Sequence, residues 1–364
     1  MTTLRSLVVI FVMALATPLL YAQNLIYVRS GGNDANDGKG ESTAKKTIAG
    51  ALAVAYSEDV IDIGPGSFAG APLTKGVVLQ GANSSNALEL WKEPTIITST
   101  LQCNPQAVGS IITIVGLQFE NIVPIGGRCE NANITIYNCK FIGSKPIATS
   151  GSQWAEFFLT ASSFDGKTPN AKPGTPLAAS ALSTGDVGIV VVRENTFKNY
   201  GKAAISASGA GQIVRLSYNE FTSCNATADI ASGAIRVDAS LVQQEVTIEH
   251  SLFTSCPTAV FMSGTLSSDG KTVTVQRNSF RQTPAGSVAI RNLSSQQLNA
   301  TCNAFNVPTT DGKQPREDAA IAASITKLTA GPVTTKPTNL DATDVDGESI
   351  GYEPHKERGC SGLR

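Results

Sequence analysis

One pattern recurs along this chain and leaves little choice of fold: apolar, any residue, apolar, a short polar step, then Phe. It runs as Ile112-Thr113-Ile114 before Phe119, Val190-Val191-Val192 before Phe197 and Val246-Thr247-Ile248 before Phe253. Eight copies end at Phe119, Phe141, Phe164, Phe197, Phe221, Phe253, Phe280 and Phe305. The steps between these phenylalanines are 22, 23, 33, 24, 32, 27 and 25 residues. A floor of 22 to 25 with irregular excess describes a coil of fixed circumference carrying loops of variable length. Alternation puts the positions seven and five before each Phe inside, and those six and four before it outside. Two residues before Phe stand Asn195, Asn219, Asn278 and Asn303, which suits a stack of turn amides bonding from coil to coil. No single coil can bury its own apolar face, so the copies must stack into one continuous core. The expectation is an all-β, single-stranded right-handed parallel β-helix over residues 23–307. A left-handed helix would hold its coils to multiples of six. An antiparallel sandwich is the alternative that short alternating strands also allow.

Composition agrees with strands. Charged residues are only 16% of the chain, and 33 glycines with many Ser, Thr and Asn take their place. A net charge of −1 without a basic run excludes the electrostatic footprint of a nucleic-acid binder. Residues 1–22 read as a secretory signal: Arg5, an apolar run from Leu7 to Leu20, and the small Ala22 before Gln23. As an anchor that run falls short of the roughly 20 residues a span needs, and no second apolar run follows. A secreted, extracellular protein with no membrane span in its mature form is expected, and the polar C-terminus carries no lipid-anchor tail. Such a compartment permits disulfides. Of seven cysteines, Cys224 and Cys256 end the same tetrapeptide, Phe-Thr-Ser-Cys, and in neighbouring coils they would lie about 4.8 Å apart, within disulfide reach. Two buried thiols are the competing reading. Asn83, Asn133, Asn225, Asn292 and Asn299 head glycosylation sequons, so a glycoprotein is a further expectation.

Upstream of the copies, Ile26-Tyr27-Val28 reads as a first strand. Ile48, Ala51, Leu52, Ala55 and Tyr56 then form an apolar stripe at helical spacing. A short helix there would cover the open end of the stack. Tyr27-Val28 with Gly32-Asn33-Asp34 and Gly38, Thr47-Ile48, Asp59 through Gly64-Pro65-Gly66-Ser67-Phe68, and Leu79-Gln80-Gly81 resemble the opening of pectin-lyase-like right-handed β-helix proteins. With the repeats, the resemblance extends over most of residues 24–307. It implies the fold, and a family in which lyases, hydrolases, esterases and non-catalytic surface proteins share one scaffold. Residues 308–364 lose the repeat and gain Thr, Pro and Asp; they read as a tail or cap, with one short helix or strand over Ala319–Leu328.

Each of those enzyme chemistries requires recognisable residues. Hydrolysis needs clustered carboxylates, but Asp165, Asp186 and Asp269 each adjoin glycine, a turn signature. The Asn-Thr-Asp and Arg-Ile-Lys signatures of the family's hydrolases and the Gln-Asp pair of its esterases are missing. A polysaccharide lyase would use Arg215 or Arg236 as base with Glu249 and Asp238 as charge partners, near the two long insertions, one of which is the Pro-rich Thr168–Pro176 wall. By the resemblance, Ca²⁺ would then be its cofactor; otherwise none is expected. Against this stands a solvated ion-pair ladder of Arg193, Arg215 and Glu249, and an arginine that stays protonated is a poor base. His250 reads as a turn residue. No metal site is expected: Asp344-Val345-Asp346-Gly347 lacks a first ligand at Ala342, and Asn33–Gly38 reads as a plain turn.

Tyr137 and Phe158 face outward on adjacent coils, with Trp154 just before the second strand and Arg193 beyond. Exposed rings stack on sugar faces. The reading is therefore a non-catalytic or catalytically reduced protein that binds polysaccharide or another surface partner. The lyase is the first alternative. A purely structural or adhesive role, through the outward Thr113, Thr135, Thr247 and Thr274, is the second.

Overall fold

A computed structural model describes residues 23–105, 107–126, 132–148, 156–168, 175, 177–184, 188–207, 213–238, 245–264, 273–281, 288–293, 298–300, 303–305, 325–327 and 333–334. These residues form a parallel β-helix. The strand pairings among the described residues are all parallel, and successive coils lay equivalent strands against one another. Three faces result. The first is a 12-stranded sheet, built from strands such as Asn133–Tyr137, Ile189–Arg193 and Ile213–Ser217. The second is a 10-stranded sheet of short strands centred on the repeat Phe, such as Thr196–Lys198. The third comprises a 3-stranded and a 7-stranded sheet and includes Ile235–Asp238, Thr258–Ser263 and Val288–Asn292.

The inward positions are those the alternation requires. Ile112, Ile114, Ile134, Ile136, Val190, Val192, Val214, Leu216, Val246 and Ile248 are all buried in one core. The phenylalanines of consecutive coils stack face on face, from Phe119 through Phe141, with centroids 5.0 Å apart there and 4.3 Å from Phe141 to Phe164. In-register pairing stacks identical residues at the strand spacing, which is close to the contact distance of aromatic faces.

Two corner devices turn the chain. The residue three before Phe takes a left-handed conformation in successive coils: Asn138 (φ 50°), Ala161 (47°), Glu194 (59°), Tyr218 (56°), His250 (50°) and Arg277 (55°). One such residue between two strands produces the sharp bend from the first face to the second. The following residue closes it. Asn219 Oδ1 accepts the Asn195 N–H at 3.1 Å, and Asn219 Nδ2 donates to the Val192 carbonyl of the preceding coil at 2.8 Å. Asn278 and Asn303 repeat the arrangement, and Ser162 and Ser251 hydroxyls continue it. Buried polar atoms at the bend are thus paired along the stack.

At the N-terminal end the helix Ile48–Val54 buries Ile48, Ala51 and Leu52 over the first coil. Thr47 caps it, its Oγ1 accepting the Gly50 N–H at 2.9 Å. Asp34 holds the cap in turn, accepting from the Thr47 hydroxyl at 2.8 Å and from the backbone N–H groups of Lys46 and Thr47. Tyr56 departs from its expected place in the stripe: it is 70% exposed. The helix ends at Val54 and Ala55 is extended (ψ 148°), so the 3.6-residue period stops one residue before Tyr56.

Cys224 and Cys256 are free, buried thiols rather than the disulfide expected of them, as is Cys139. Stacked in register, the pair packs as two small apolar groups, with each sulfur directed at a backbone carbonyl of its own and the preceding coil. Cys103 is the disulfide-bonded cysteine among the described residues. Three sequon asparagines, Asn83, Asn225 and Asn292, are buried, which removes them as acceptors in the folded protein. Beyond residue 307, Ile325–Lys327 and Val333–Thr334 add one strand each to the third and first faces. The expected signal segment, Trp154 and the Asp344–Glu353 segment lie outside the described residues. No helix among the described residues is long and apolar enough to cross a membrane.

Candidate functional site

The outward side of the first face brings together most of the side chains chosen for glycan contact. Tyr137, Thr160 and Arg193 stand directly opposite one another on three successive coils. Beside them, two residues earlier on the same strands, Thr135, Phe158 and Val191 form a second in-register row. Rungs about 4.8 Å apart make this a flat patch roughly 10 Å long. Tyr137 is 45% exposed and Phe158 half-buried, so both rings are in reach of a ligand. The outward threonines form no continuous row. Thr113 pairs Thr135 and Thr247 pairs Thr274, but Phe158, Val191 and Arg215 separate the two pairs.

At its far end the patch is bounded by a rigid ledge. The Arg193 guanidinium lies over the Tyr218 ring, 5.3 Å from its centroid, and that ring stacks on His250 at 4.8 Å and 4°. Arg193 also pairs with Glu194 at 2.9 Å. Tyr218 is therefore a scaffold, since its ring is engaged by both neighbours, and what it presents is the oriented Arg193 fork. The expected ladder of Arg193, Arg215 and Glu249 does not form. Ser217 stands between Arg193 and Glu249 in the register, and Arg215 reaches diagonally to Glu245 at 3.5 Å instead.

Near the opposite end a loop folds back over the corner beside Tyr137. Asn138 Nδ2 donates to the Asn83, Ser84 and Asn86 carbonyls, at 3.1, 3.3 and 2.8 Å. This brings Trp91 onto Lys140, with the ammonium 4.6 Å from the ring centroid. Sequence reasoning missed Trp91. It stands outside the repeat, and the only signal was a tryptophan in a polar loop.

The four residues considered for a lyase are not brought together. Arg215 and Glu249 lie on the first face, whereas Arg236 and Asp238 lie on the third. Val214 and Leu216 from the one strand and Ile235 and Val237 from the other enter the same core. Outward side chains of two sheets that close on one core project away from it on separate sides, so Arg215 and Arg236 cannot share a substrate atom. Asn33–Gly38 is occupied as a turn: Asn33 Oδ1 and Asp37 Oδ1 accept backbone N–H groups within the loop, and Asp34 serves the helix cap. No three His, Cys, Asp or Glu side chains gather as a metal-holding group among the described residues.

No family model matches this chain, and no curated protein matches it. Among solved structures, the GH136 lacto-N-biosidase from Eubacterium ramulus matches at 11% identity and a TM-score of 0.37, over 78% of this chain and 67% of that one. A likeness this distant bears on neither activity nor substrate.

Proposed function

We infer that this chain is a secreted, non-catalytic β-helix protein of the pectin-lyase-like class that binds polysaccharide on the outward side of its first face. The observation that carries the reading is the in-register line Tyr137–Thr160–Arg193 with Phe158 beside it. A ring, a hydroxyl and an oriented guanidinium at successive rungs supply the apolar face and the polar donors that a sugar chain requires. Secretion is supported by the character of residues 1–22 and by a disulfide-bonded Cys103. The separation of Arg215 and Glu249 from Arg236 and Asp238 supports the non-catalytic part, because β-elimination needs base and charge neutralisation at one carbon.

The test is binding of the mature protein to neutral and acidic polysaccharides, compared with Tyr137→Ala and Tyr137→Ala/Phe158→Thr variants. The expected result is a loss of about tenfold or more in affinity for at least one glycan. Unchanged binding by the double variant overturns the site. A rise in ultraviolet absorbance from unsaturated uronate products would overturn the non-catalytic reading instead.

A further inference from the structure

The fold sorts the glycosylation sequons. Asn83, Asn225 and Asn292 are buried. The Asn83 amide donates to the Glu93 carbonyl at 3.1 Å, and the Asn225 amide donates to the Asp229 and Ser232 carbonyls at 3.2 and 3.3 Å. A sugar joined to either nitrogen before folding would need space that the folded chain fills, and would take a donor from a carbonyl inside the protein. Asn292 has a partner of its own, and the Asn299 side chain lies outside the described residues.

Asn133 is placed differently. It opens the strand Asn133–Tyr137 between Ala132 and Ile134, both of which belong to the core, so alternation turns its side chain outward. It is partly exposed, and its amide makes no hydrogen bond among the described residues. Thr135, the hydroxyl residue of the sequon, is the next outward residue on the same strand. Apolar side chains flank the amide on both neighbouring coils. Ile111 stands directly opposite on the preceding coil and is 55% exposed. Phe158 stands opposite Thr135 on the following coil, which makes it the diagonal neighbour of Asn133, about 8 Å away by the strand and residue spacings. A half-buried ring one diagonal step from a free outward amide offers a surface on which a sugar attached to that amide can rest.

We propose that Asn133 carries an N-linked glycan whose first sugar lies over Phe158. In the modification, the Asn133 amide nitrogen forms a bond to the anomeric carbon of an oligosaccharide carried on a lipid diphosphate. The bond from that carbon to the diphosphate oxygen breaks, the diphosphate leaves with its electron pair, and the amide gives up one proton. The inference rests on the secreted reading of the chain and not on polysaccharide binding. The Tyr137–Thr160–Arg193 row, which carries the binding reading, lies two residues further along the strands than Phe158 and stays open.

The experiment digests protein recovered from the medium of its source cells and weighs the Asn133 peptide before and after peptide-N-glycosidase, which leaves Asp where a glycosylated Asn stood. A glycan mass at Asn133, with Asn83, Asn225 and Asn292 bare, is expected. Protein in the medium with a bare Asn133 would overturn this proposal and leave secretion standing. Protein confined to the cells with a bare Asn133 would overturn both. The contact with Phe158 is read as the rate of enzymatic release of the glycan from the folded protein. Phe158→Thr, which puts at this rung the residue its register neighbour Thr135 already has, should speed release roughly threefold or more. Val191→Thr, one rung further along the same row, should leave the rate unchanged. Release from Phe158→Thr at the wild-type rate, or an equal acceleration in Val191→Thr, would overturn the placement on Phe158.

Discussion

At the scale of the residue, the stack amplifies small choices because each is repeated or shared between coils. Asn219 ties its coil to the preceding one twice, accepting from Asn195 and donating to Val192. Asn219→Ala strands a buried N–H and a buried carbonyl, and should cost about 1–3 kcal/mol per group left unpaired, read as a lower denaturation midpoint at unchanged slope. Asn219→Asp offers an acceptor but no amide donor, and should recover part of that loss. The thiols behave oppositely. Burial pushes the Cys139 thiol up to about 12, and burial together with the adjacent Cys256 thiol raises Cys224 well above its ordinary value. Neither group should react with a thiol reagent at neutral pH in the folded state, and both should react on unfolding. Rapid labelling of native Cys224 would contradict the packing described here.

At the scale of the element, the N-terminal cap is where electrostatics matters. Desolvation pushes the Asp34 carboxyl upward, but hydrogen bonds from the Thr47 backbone and hydroxyl and from Lys46 outweigh it and hold the group below its usual range. A carboxylate depressed in the folded state contributes stability above its unfolded pKa, about 3.9, and that contribution disappears as pH falls through the folded value. Hydrogen exchange in Ile48–Val54 should therefore accelerate as pH drops below about 4, after correction for intrinsic rates. In Asp34→Asn the cap should already be looser at neutral pH, and the acid dependence should flatten. An identical pH profile in both proteins would show that Asp34 does not govern the cap. The repeat strands stand in contrast: they were legible because alternation alone divides core from surface, whereas the cap helix was legible only up to Val54. Tyr56 fell outside it because the backbone is already extended at Ala55, a change of conformation that apolar spacing does not signal.

At the scale of the whole molecule, a coil touches only its neighbours, so damage should spread along the stack rather than across it. Phe221 sits between Phe197 and Phe253 in the ring column, at 5.0 and 4.8 Å. Phe221→Ala should cost about 3–5 kcal/mol and open the adjoining coils to hydrogen exchange before the N-terminal coils respond.

The β-helix is written in the chain: the period of its apolar pairs, the recurring Phe and the Asn before it require stacked coils, and each of these is a local rule applied many times. The chain also places Tyr137, Phe158 and Arg193 on the outward side, because alternation fixes direction once a strand exists. Whatever depends on which coil meets which, and on which loop folds over what, arises only in the assembled stack. Only the register showed that Arg193 belongs with Tyr218 and Glu194 and that Arg215 belongs with Glu245. The division of Arg215 and Arg236 between faces, and the Trp91 loop lying over the corner beside Tyr137, are likewise features of the assembled stack. The physical reason is that strand periodicity is a property of neighbours in the chain, whereas a site is a property of neighbours in space. In a stack whose coils carry insertions of different lengths, nothing in the local pattern specifies how a loop returns.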